Sequence, residues 1–138
     1  MLEQMEMNMD QELRDSKLFR PLWAIKYGGD PYMGGVMRFA EMDYDTLQWM
    51  VDNRFADPEE RQNDSPSISE FLKFLKLLPN FRAIGYVVDK ERSDYRLSVE
   101  GITGDNLAAI DIIDFVNFAR EADEFEINLD GTCRAWWD

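Results

Sequence analysis

The chain has 138 residues, with 28 acidic and 15 basic side chains for a net charge of −13, no histidine and a single cysteine, Cys133. Without histidine there is no Ser-His-Asp or Cys-His arrangement and no imidazole metal site, and one cysteine allows neither an internal disulfide nor a CxxC motif. The 45% apolar and 13% aromatic content belongs to a globular chain, and the length suits one domain.

At the amino terminus, Leu2, Met5, Met9 and Leu13 recur at helical spacing in a thin apolar stripe, so residues 1–16 read as a flexible or helical tail on a single domain spanning 17–138. The segment is acidic where a secretory signal would be basic and then apolar. No apolar run reaches 18 residues, and the expected setting is the reducing cytoplasm, away from membranes.

Residues 22–27 (LWAIKY) and 35–41 (GVMRFAE) read as a hairpin around turns rich in glycine. Asp43 or Asp45 caps a helix to about Phe55, with Tyr44, Leu47, Val51 and Phe55 on one face. Residues 56–66 lack periodicity and form a loop. Ser67 to Glu70 is a capping box that starts a helix ending before Pro79.

A second hairpin follows, from residues 82–89 and 95–100. The next helix, residues 105–120, is apolar nearly all round and is expected to be the most buried, with a polar stripe of Asp111, Asp114, Asn117 and Glu121. Glu124–Leu129 and Thr132–Trp137 then alternate around Asp130-Gly131, a strong hairpin signal. A two-residue turn would put Phe125, Ile127 and Leu129 on the core side with Thr132, Arg134 and Trp136. Arg134 is a misfit there, which argues for a longer turn or a carboxylate partner.

The predicted fold is α+β, in the order ββααββαββ, with about six mainly antiparallel strands and helices packed on one face. A weak echo between residues 24–30 and 83–89 allows two ββα halves.

Charge is concentrated at the carboxyl end: residues 102–138 hold nine acids against two bases, whereas residues 67–101 hold five against six. Such a field disfavours nucleic-acid backbones and anionic membranes and suits a basic protein partner. The turn glycines at 28–29 and 34–35 lack the context of a phosphate loop. Asp111, Asp114 and Glu121 have no calcium-loop spacing, so neither metal nor cofactor is expected.

Trp49 falls opposite the apolar stripe of its helix, among Asp45, Asp52 and Asn53. It reads as a binding anchor unless the 56–66 loop or the amino-terminal segment covers it. The preferred reading is a non-catalytic, inhibitor- or immunity-like protein that binds a basic partner through Trp49, Asp111, Asp114 and Glu121, with no catalytic residues. The alternative is a small enzyme or ligand-binding domain using carboxylates with Tyr27, Tyr86 or Tyr95 in a cleft beside the sheet. Oligomeric state is left open by the sequence.

Overall fold

A computed structural model describes residues 6–20, 32–105 and 108–138. The elements are α1 (Gln11–Asp15), β1 (Val36–Met42), α2 (Tyr44–Asp52), α3 (Ile68–Leu77), β2 (Phe81–Val88), β3 (Leu97–Gly104), α4 (Ala109–Ala119), β4 (Glu124–Ile127) and β5 (Cys133–Trp136). The five strands make one antiparallel sheet in the order β1-β2-β3-β5-β4. The α+β class therefore holds, with five strands rather than six among the described residues. The expected strand at 22–27, and with it the first half of the internal echo, lies outside them.

Local chemistry sets the helix starts. The Asp43 carboxylate accepts from the Thr46 amide at 2.8 Å and opens α2. The capping box of α3 is present in full: the Glu70 amide donates to Ser67 Oγ at 3.2 Å, and the Ser67 amide donates back to Glu70 Oε1 at 3.2 Å. Before either helix, Arg14 anchors α1 although it is a charged residue with no exposed surface. Its guanidinium donates to Asp15 at 2.9 Å, to the Val88 carbonyl at 3.1 Å and to the Tyr32 hydroxyl at 2.8 Å, and it lies 4.7 Å above the Tyr95 ring. Paired in this way, the buried charge ties the amino-terminal segment to the end of β2.

Alternation in the strands, with a register shift between β2 and β3 that brings Ile102 to the same side as Val99, sends Phe39, Phe81, Ala83, Val87, Leu97, Val99, Ile102, Cys133 and Ala135 into one core, with Leu47 and Met50 of α2 and Phe71, Phe74 and Leu75 of α3. Aromatic rings join the layers. Phe81 meets Phe74 of α3 at 4.9 Å and stacks on Phe115 of α4 at 5.5 Å, while Phe118 stacks on Phe74 at 4.2 Å and meets Trp137 at 5.9 Å. Gly104 makes room for this: a Cβ there would come within 2.7 Å of the Phe81 ring.

Three expectations are corrected. The helix predicted over 105–120 begins only at Ala109, because β3 continues through Gly104 to pair with Phe81 and Cys133. Nor is α4 buried all round. Phe115 and Ala119 are enclosed, but Ile113 is 56% exposed and Ile110 63%, and α3 is the better buried helix. A helix at a sheet margin has neighbours on one side only, so apolar content overstated its burial.

In the last hairpin Phe125 pairs with Ala135 and Ile127 with Cys133, one step from the register of a two-residue turn. Gly131 adopts a φ of 86° and lengthens the loop, so Cys133, Ala135 and Trp137 face the core while Arg134 moves to the other face. The misfit at Arg134 is resolved by the longer turn.

Phe115→Ala should accordingly lower stability by about 3–5 kcal/mol, whereas Ile113→Asp should change it by no more than about 0.5 kcal/mol, as an exposed substitution does. Urea unfolding of the two variants checks this, and equal losses would refute the facing of α4.

Candidate functional site

The surface made by α4 and the final hairpin holds three of the four residues singled out from sequence. Asp114 and Glu121 are exposed, about 20° apart around the helix axis at 100° per residue. Asp111 is half-buried, and its Oδ2 accepts from the Ala108 amide at 3.2 Å, so it also caps α4. Glu121 borders a depression of about 320 Å³ that it shares with Asn117, Arg120, Glu70 and Arg61, the last two paired at 2.8 Å.

Between these carboxylates and those of β4 lies a cluster that sequence reasoning assigned to the core. Ile110, Ile113 and Val116 of α4 are exposed. Phe125 and Ile127 of β4 are 50% and 43% exposed, and Leu129 projects fully from the turn. Phe118 faces α3, and Val116 and Ile113 lie about 160° and 220° around the axis from it, so they look away from α3 toward the β4 margin. Asp114 and Glu121 flank this apolar strip on the helix, and Glu124 and Glu126 flank it on the outer face of the sheet. The carboxylates were legible from sequence, but the strip was not, since nothing in its composition separates it from a core face.

Trp49 is placed apart from this surface. It is half-buried and stacks on Phe55 at 5.6 Å, and the Lys17 ammonium lies 5.3 Å from its ring. The amino-terminal segment thus partly covers it. Among the described residues its ring contacts are with Phe55 and Lys17, not with the α4 carboxylates.

The cleft chemistry of the alternative reading centres on a network that the sequence did not signal. Ser98 Oγ donates to Glu60 Oε1 at 2.7 Å, and Arg96 lies 3.5 Å from the same oxygen. Arg96 also donates to the Tyr86 hydroxyl at 2.8 Å, which in turn donates to Gln62 at 2.7 Å. Burial pushes the Glu60 carboxyl above its ordinary range, against the pull of Ser98 and Arg96, and its Oε2 is buried without a hydrogen-bond partner.

A carboxylate, a hydroxyl and a guanidinium in contact resemble catalytic parts. Ser98, however, has no exposed surface, so no substrate reaches it in this conformation, and the network instead holds the 57–66 loop against β3. The Tyr95 hydroxyl is likewise engaged, donating to the Asn8 carbonyl at 2.7 Å. Tyr27 lies outside the described residues.

A broader depression of about 530 Å³ opens where β2, β3 and the final hairpin meet, with Arg82, Arg134, Glu41, Asp105 and Glu126 around it. Its two cations and three carboxylates give no single electrostatic sign. Among the described residues no group of three or more Asp, Glu or Cys side chains could hold a metal ion, and no helix is long and apolar enough to cross a membrane. No family model matches the chain, and no curated protein or solved structure matches it either.

Glu60 makes a pH dependence testable. Its folded-state value is raised, so its contribution to stability is present below the unfolded value of about 4.5 and is lost as pH rises through the folded value. Glu60→Gln should therefore be the more stable protein at pH 7, with the gap closing toward pH 4. Thermal melts across that range check it, and a gap that widens on acidification would be the opposite sign.

Proposed function

We propose that the chain is a non-catalytic interaction protein that binds a basic protein partner through the surface of α4 and the final hairpin. The observation that carries this reading is the exposed strip of Ile110, Ile113, Val116, Phe125, Ile127 and Leu129 set between Asp114 and Glu121 on one side and Glu124 and Glu126 on the other. Solvated apolar side chains are costly in isolation and gain when a partner covers them. The flanking carboxylates remain at the rim, where they steer a cationic partner and reject anionic ones.

Asp111 contributes charge to that field while capping the helix. Nucleic acid and anionic membrane are poor partners for the same electrostatic reason.

Affinity capture from a native lysate, with the intact chain as bait, tests the proposal. Retained proteins should be basic, and their binding should weaken steeply above about 0.15 M salt, where the Debye length is near 8 Å. Combining Asp114→Lys with Glu121→Lys should slow association, whereas Ile113→Ser should mainly speed dissociation by at least ~10-fold, the effect of losing an apolar anchor. Retention that ignores salt and all of these substitutions would overturn the reading.

A further inference from the structure

Strand β4 ends the sheet. It has β5 on one side and, among the described residues, no strand on the other, and all four of its residues are exposed. The Asn128 amide donates to the Thr132 carbonyl at 2.8 Å, and the Gly131 amide donates to the Asn128 carbonyl at 3.1 Å, closing the turn. That bond sets the phase of the ladder, in which bonded and non-bonded pairs alternate. Ile127 opposite Cys133 and Phe125 opposite Ala135 occupy the non-bonded positions, so their amide and carbonyl groups point to the open edge.

Edges of this kind are commonly blunted by proline, lysine, a bulge or a covering element. Here β4 carries none of these among the described residues; what guards the edge is its length of four residues and the charges of Glu124 and Glu126.

Resting on the interaction role proposed above, we infer that the partner enters as an extended segment that adds a strand to the free edge of β4, alternating apolar residues with Lys or Arg. Side chains of an added strand alternate between the faces already set by β4. Those on the helix side meet Phe125 and Ile127 and extend toward the flank of α4 where Val116 is 36% and Ile113 56% exposed. Those on the outer side fall beside Glu124 and Glu126. Arg134 stands opposite Glu126 in the register, lies over the Trp136 ring at 4.4 Å and lines one depression with both glutamates, so two carboxylates share one cation there and leave a net negative charge for the added strand to meet.

A second copy fits this edge poorly. Two β4 strands paired antiparallel within one continuous sheet set residues of the same face opposite each other, which places glutamates against glutamates.

Fluorescence anisotropy with a short labelled peptide of alternating Lys and Val, added to the intact chain, tests the inference. It should bind, and methylating the backbone nitrogens that would face β4 should weaken it by roughly tenfold or more with its charge unchanged, because the hydrogen bonds of strand addition are lost. Ile127→Pro should weaken binding similarly, since proline at an edge position removes an outward amide without breaking the ladder, while Ile127→Val should retain it. If the proline variant fails to fold, the methylated peptide still decides.

Absence of binding, equal binding of the methylated peptide, or equal binding of a peptide alternating Glu and Val would overturn strand addition. So would a dimer in sedimentation that Ile127→Pro abolishes, which would give the edge to a second copy. If lysate capture still responds to salt and to the Asp114 and Glu121 reversals while methylation has no effect, the basic-partner reading stands and only strand addition falls.

Discussion

The packing of Phe81 is the contact on which the rest of the arrangement depends. Its ring sits at the first residue of the interior strand β2, fully enclosed, with Phe74 of α3 on one side, Phe115 of α4 on another and the bare Cα of Gly104 beneath it. Two helices and two strands therefore meet at one side chain. Aromatic pairs of this geometry add roughly 0.5–1.5 kcal/mol each beyond the area they bury, and through Phe118 and Trp137 the same set of rings reaches β5. Sheet pairing alone would leave one face of the strands wet and the helices undocked.

That arrangement also explains why α4 is exposed where its composition suggested burial. The helix is held from one side, by Phe115, Phe118 and Ala119 against β2, α3 and the end of β5. It sits toward the margin of a five-stranded sheet whose last strand has only four residues, so its opposite flank is left partly exposed. The apolar strip follows from anchoring a helix with apolar residues on nearly all sides to a sheet that ends beneath it. Burial of its aromatic side offsets the exposure of its aliphatic side.

Local signals carried most of the secondary structure. Ser67 and Glu70 form the reciprocal cap that their spacing implies, Asp43 opens α2, and Asp130-Gly131 marks the final turn. Those features depend on residues a few positions apart, whose chemistry is visible in the chain. What was not legible depends on distant neighbours. Periodicity shows that Ile113 is apolar and outward relative to Phe115, but not that the sheet stops short of it. A one-residue change in turn length reversed the faces of the last strand, and only the awkward position of Arg134 hinted at it. The Glu60, Ser98 and Arg96 network joins a loop to a strand nearly forty residues later in a register that no local pattern encodes. The candidate surface was half readable in the same sense: its carboxylates announced themselves by count, while the apolar strip they enclose looked like core.

Charge and shape meet at the same margin, and each limits what the other permits. An exposed edge strand with Phe125 and Ile127 beside an aliphatic helix flank would, if uncharged, recruit any extended chain, including its own copies. Glu124 and Glu126 on that strand, with Asp114 and Glu121 across the flank, oppose self-pairing because every added copy brings the same charges to the same place. The opposition is selective. A basic segment meets the carboxylates as partners and still gains the apolar contact. Residues 102–138 hold nine of the 28 acids against two bases, and residues 1–66 hold fourteen against seven, so the segment that carries the open edge has the same net charge as the first 66 residues in little more than half the length. Solubility alone would be served as well by an even spread of carboxylates over the surface, whereas the near-neutral stretch 67–101 beside the acidic stretch 102–138 divides the second half of the chain unevenly.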